Sequence, residues 1–167
     1  MFPPILVPIS AAMKEAADKY ENTVLHTQNI QQNPINYTGL KAAKRFSVGH
    51  LGELCFKHVL EQSGVKFVHH VNPNGHSDNG DFVVYVKGTP NTIDVKTASS
   101  PTHKMMMFPD VTLRVHQRDA YVGVRINGDV GEVFGYITLK EARQLPVSDG
   151  FHVKSRVLTR YILLENL

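Results

Sequence analysis

Cysteine is nearly absent. Cys55 stands alone, so no internal disulfide can form, which fits a reducing compartment. Long apolar runs are missing as well. No stretch approaches the roughly 20 residues a helix needs to cross a bilayer, so no membrane partner is expected. The opening Met1-Phe2-Pro3-Pro4-Ile5-Leu6-Val7-Pro8 is apolar but short. It lacks a positive flank and carries three prolines, a poor composition for a secretion leader. These absences predict a cytoplasmic chain. Repeats and low-complexity tracts are also lacking. The charge balance is mildly basic, +3 with a pI near 9.0, which suits a nucleic-acid partner without requiring one. What remains is 42% apolar and 20% charged over 167 residues, the composition of one globular domain with one core.

Ile9, Met13, Ala16, Tyr20 and Val24 recur at helical spacing, which predicts a helix over 10–28 with Ser10 as its cap. Residues 29–38 are polar, contain Pro34 and read as a loop. A second helix is expected over 39–62, stopped by Ser63-Gly64. Strands follow at 65–71, 81–86 and 92–98. The first two are separated by a polar loop, and the last two form a hairpin about the turn at 87–91. No element is assigned to 99–109. Two more strands, 121–126 and 132–137, flank Asn127-Gly128-Asp129. Thr138 caps a short helix holding Leu139, Ala142 and Leu145, and the tail adds a strand around 152–158. This order predicts an α/β sandwich with a central mixed sheet flanked by helices. The whole chain, 1–167, reads as one domain: a helix and loop over 1–38, a core over 39–137, and a helix and tail over 138–167.

The chemistry concentrates in Gly80-Asp81-Phe82-Val83-Val84 and Thr92-Ile93-Asp94-Val95-Lys96-Thr97. Residues two apart on a strand share a face. Asp94 and Lys96 therefore project together, while Ile93 and Val95 turn toward a core. Asp81 opens the partner strand and approaches Asp94 from the side. Two close carboxylates repel and need a cation between them. Mg²⁺ or Mn²⁺ prefers such an all-oxygen site, and a neighbouring lysine can steady a water or a phosphate oxygen. These parts suit phosphodiester hydrolysis. With 15 acidic residues in the chain, an acid two before a lysine arises by chance about once, so the triplet counts only in its context. Replacing Asp94 or Lys96 is expected to abolish the chemistry and spare the fold.

With Gly49-His50-Leu51-Gly52-Glu53 on the preceding helix, these words resemble the PD-(D/E)xK nuclease superfamily over roughly 45–137. Gly80 stands where the motif name has proline. The resemblance implies a restriction-endonuclease-like fold, with Mg²⁺ or Mn²⁺ held by Asp81, Asp94 and the Val95 carbonyl. It implies that Lys96 assists the water and that Glu53 joins the metal site, directly or through water. The expected activity is metal-dependent cleavage of DNA, branched or otherwise structured DNA included. Small resolvase-type or phage-type members are the nearest in architecture, because no room remains for a separate recognition domain. Cutting two strands calls for two active sites, which a homodimer would supply. The alternatives are a nucleic-acid-binding or scaffold domain of the same fold that cleaves poorly, and a zinc-dependent hydrolase.

On a helical wheel, Glu53 lies at the edge of an arc formed by Leu51, Cys55, Phe56, Val59 and Leu60. A carboxylate there is partly withdrawn from water and wants a cation or donor. Lys41, Arg45, Gly49 and Glu53 are spaced four apart and form one stripe. A phosphate backbone could follow that stripe, or the glycines could simply let the helix pack closely. Lys41, Arg45, His76 and Lys104 are the candidates for contacting DNA. His69 and His70 are adjacent, so on a strand only one can join a site, and no His-Glu-x-x-His word supports zinc. Arg114, His116 and Arg118 alternate and read as a basic edge or a solvated face.

Overall fold

Ser10 starts the first helix as its position predicts: its Oγ accepts the Met13 N–H at 3.1 Å, satisfying a first-turn amide that has no helical partner. The computed structural model describes residues 4–28, 39–71, 80–99, 106–109, 113, 115, 117–148 and 155–158, without the side chains of 25–28, 39–45, 106–109, 148 and 155–158. In chain order the elements are β1 (Ile5–Pro8), α1 (Ala11–Gln28), α2 (Gly39–Ser63), β2 (Phe67–His69), β3 (Phe82–Val86), β4 (Thr89–Ala98), β5 (Met106–Pro109), β6 (Ala120–Asn127), β7 (Val130–Thr138), α3 (Leu139–Gln144), β8 (Val147–Ser148) and β9 (Ser155–Leu158).

Six strands form a mixed sheet in the order β1-β7-β6-β4-β3-β2, and β5-β9-β8 form a second, smaller sheet. The pairing of β4 with β6 is parallel, while β3 with β4 and β6 with β7 are antiparallel. Both hairpins turn on two residues. Lys87 and Gly88 both sit at positive φ, 49° and 81°, the backbone that matches the right-handed twist of the flanking strands. The fold is thus the α/β arrangement with a mixed sheet that the sequence predicts.

Some elements differ from the expectation. The strand expected over 65–71 is confined to Phe67–His69. The hairpin strand begins at Thr89 rather than 92, because the turn needs only two residues. The apolar opening is not loose: Ile5–Pro8 pairs antiparallel with Val130–Val133 and buries Val7. β5 and β8 fall where no element was assigned.

One face of the large sheet carries the main core. Cys55, Phe56 and Leu60 of α2 meet Phe82, Val84, Ile93, Val95, Val122, Val124 and Val133. Phe56 and Phe82 meet edge to face, 5.1 Å between ring centres. α1 packs on α2. The other face buries Tyr121 and Ile137 with Leu113 and Ala142. There α3 is held by reciprocal capping: Thr138 Oγ1 accepts the Glu141 N–H at 3.3 Å, and Glu141 Oε2 accepts the Thr138 N–H at 2.9 Å. Among the described residues, no helix is long and apolar enough to cross a membrane.

Candidate active site

β3 begins one residue after Asp81, and this shapes the site. The Asp81 N–H donates to the Ile93 carbonyl at 3.0 Å. The Val95 N–H faces the same edge with no further strand residue opposite it, and Asp81 Oδ2 accepts it at 2.7 Å. A carboxylate thus continues the ladder. In an extended strand a residue's N–H and C=O point to the same side, so the Val95 carbonyl faces Asp81 too.

Asp94 and Lys96 lie on the face of β4 opposite Ile93 and Val95, as the alternation predicts. Lys96 Nζ donates to Asp94 Oδ2 at 3.3 Å. The expectation that Asp94 stands clear of the packed interior is corrected: it is 8% exposed. Its Oδ1 accepts Arg118 Nε at 3.0 Å, and Arg118 is equally buried. Arg118 is therefore neither a basic edge nor a solvated face. Asp119, next in sequence, fastens β4 to the start of β6 by accepting the Thr92 N–H at 2.7 Å.

Gly80 holds a backbone conformation closed to proline. Its φ of +74° lies outside the range of a pyrrolidine ring. A Cβ at this position would come within 2.9 Å of Arg118 Nε, Asp94 Oδ1 and the Ile93 carbonyl. The bare backbone makes room for the Asp94–Arg118 pair.

Glu53 reaches the site from α2. Gly52 lets the helix settle onto β4: a Cβ there would stand 1.9 Å from Thr97 Oγ1. Gly49, by contrast, has open space around it. Gly52 is thus a packing residue and Gly49 is not. Glu53 Oε2 accepts both His50 Nδ1 at 3.1 Å and His69 Nε2 at 3.0 Å. Burial works to raise the pKa of Glu53, but the two histidines outweigh it and leave the carboxyl below its usual range.

Asp81 has the opposite balance. Burial, then the charges of Glu53 and Asp94, push it up to about 7 against the relief offered by the Val95 N–H and Lys96. The four residues expected to act together are therefore electrostatically linked, with Asp81 as the group on which the repulsion falls. Among the described residues, the carboxylate whose oxygen converges with other possible ligand atoms is that of Glu53, with His50 and His69, and not the three acids expected to share one metal.

Sequence reasoning missed His50, although it sits three residues before Glu53, the spacing that aligns two side chains on one helical face. It also missed Arg118, which is separated from Asp94 by 24 residues. Of the adjacent histidines only His69 joins, as alternation requires, while the His70 N–H binds the Asp81 carbonyl at 2.8 Å. His76 and Lys104 lie outside the described residues, as do the side chains of Lys41 and Arg45. No protein-family model, curated protein or solved structure matches the chain.

Proposed function

We propose that this chain is a divalent-metal-dependent nuclease of the restriction-endonuclease-like kind, hydrolysing phosphodiester bonds in DNA at Asp81, Asp94 and Lys96, with Glu53 as the fourth member. The observation that carries this reading is the arrangement about β4, with Asp81 Oδ2 on the Val95 N–H at 2.7 Å and Lys96 Nζ on Asp94 Oδ2 at 3.3 Å, where burial and the charges of Glu53 and Asp94 push the Asp81 pKa up. Such a cluster is costly without a cation and is relieved by one. A bound Mg²⁺ or Mn²⁺ would lend its charge to the scissile phosphate and to the attacking water. The protein's part is positional. The Val95 N–H fixes Asp81 Oδ2, and Arg118 fixes Asp94 Oδ1. Lys96 stays more accessible than Asp94, their side chains 28% and 12% exposed, and its ammonium can orient a water or a phosphate oxygen.

A second reading is a nucleic-acid-binding domain of the same fold with weak or no cleavage. One observation favours it: Arg118 already supplies a cation to Asp94. A panel of labelled linear, nicked, flapped and four-way DNAs with Mg²⁺ or Mn²⁺ separates the two. Cleavage should vanish in EDTA, and Lys96→Ala should lower the rate by at least about 10²-fold, the scale of a lost group that stabilises developing charge. Cutting by Lys96→Ala at the parent rate would refute the assignment. Metal-independent binding without any cutting would favour the second reading.

A further inference from the structure

We propose that His50, Glu53 and His69 form a binding site for a borderline transition-metal ion of the Zn²⁺ type, distinct in chemistry from the hard-cation site of the acids. Each residue offers one ligand atom, and the three atoms all lie within 4.8 Å of one another. Both imidazole nitrogens converge on a single oxygen, Glu53 Oε2, at 3.1 and 3.0 Å. An ion with tetrahedral bonds of about 2.0–2.2 Å keeps its ligands roughly 3.3–3.6 Å apart, so seating it would lengthen the two contacts to Glu53 slightly and bring the two imidazole nitrogens, which lie within 4.8 Å of each other, into the same range.

The donor set selects the metal. Imidazole suits Zn²⁺ and its neighbours, whereas Mg²⁺ takes oxygen. Two histidines and one carboxylate also leave a fourth position for water or a substrate oxygen, the pattern of catalytic rather than structural zinc.

The ligands are held ready. The His50 ring stacks on Tyr20 at 4.3 Å, and the His69 ring stacks on Phe82 at 4.3 Å with only 3° between the planes. Their side chains are 6% and 9% exposed, and that of Glu53 is 15% exposed. The helix that carries His50 and Glu53 is seated on β4 through Gly52, and His69 comes from β2 across the sheet edge. Imidazoles from two elements are thus gathered beside one carboxylate oxygen, which keeps the three ligand atoms together. The site does not depend on the nuclease reading, although it shares Glu53 with it.

The test strips the full chain with chelator and titrates it with Co²⁺, whose visible absorption reports four- or five-fold coordination, with Zn²⁺ as competitor. One equivalent should bind to the parent and to Asp94→Asn, with Zn²⁺ displacing it. His50→Gln and His69→Gln should each weaken Co²⁺ binding at least tenfold while keeping the far-ultraviolet circular dichroism of the parent. If either variant fails to fold, side-chain ¹⁵N spectra of the parent serve instead, and Zn²⁺ should shift His50 Nδ1 and His69 Nε2. Unchanged Co²⁺ affinity in both histidine variants, or unshifted nitrogens, would overturn the proposal. So would loss of binding in Asp94→Asn alone, which would put the ion with the acids. Loss of DNA cleavage activity has no bearing on these readouts, so the two readings fail separately.

Discussion

Asp94 divides its two oxygens between two cations, Arg118 on Oδ1 and Lys96 on Oδ2. The halves are not equal. Lys96 is partly exposed, and such pairs contribute little to stability. Arg118 is buried, and removing Asp94 would take away the carboxylate that balances its charge in the interior. Asp94→Ala should therefore destabilise the fold by about 3 kcal/mol, the scale for breaking a buried pair, whereas Lys96→Ala should cost well under about 1 kcal/mol. Urea denaturation of both variants checks this, and equal losses would show that Arg118 gains nothing from Asp94. The contrast matters for function: an inactive Asp94 variant is ambiguous, whereas an inactive Lys96 variant is not. Asp81 makes a prediction of opposite sign. Its folded pKa of about 7 exceeds the ordinary 3.8, so the folded state holds the proton more tightly. The resulting stability is complete below pH 4 and is lost as pH rises to about 7. In metal-free protein Asp81→Asn should remove that slope and gain on the parent between pH 5 and 8, by on the order of 2 kcal/mol. A parent and variant that run parallel across this range would mean that Asp81 is not burdened.

At the level of the element, α2 is the piece that assembles the site, and its seating is steric. Gly52→Ala would drive a Cβ into Thr97, 1.9 Å from Oγ1 and 2.9 Å from Cγ2. Overpacking of this kind costs about 1–3 kcal/mol. Thr97→Ala in the same chain removes both atoms and should recover much of the loss in thermal unfolding. A double variant no better than Gly52→Ala would place the strain elsewhere. Legibility in the sequence follows the same division. The span of α2 and the alternation of Asp94 and Lys96 were readable because periodicity and glycine signals are local. The partners of those side chains were not. Arg118 meets Asp94 only because β4 and β6 run parallel with a long crossover between them, and no spacing rule encodes that. His50 was closer to hand, three residues from Glu53, yet its meaning depends on His69 arriving from β2.

Across the whole molecule, the six-stranded sheet lies between α2 and the Tyr121–Ile137 cluster. The α/β class and the mixed sheet followed from the order of helical and alternating segments. β1 did not, since three residues between prolines carry no period, and their partner β7 lies more than 120 positions away. That distant pairing brings Gly131 of β7 beneath Cys55 of α2, so close that a Cβ on Gly131 would stand 2.3 Å from Sγ. Burial also pushes the Cys55 thiol up to about 11, which keeps it from the thiolate form that reacts. The sulfur is thus sealed twice, by shape and by protonation, and only separation of helix from sheet breaks both seals. An alkylating reagent then becomes a stopwatch for the whole fold. Its rate on the native chain should trail that on the denatured chain by about 10³-fold or more, because each reaction must wait for a global opening. Rapid native labelling would instead reveal that α2 lifts alone, and with it His50 and Glu53.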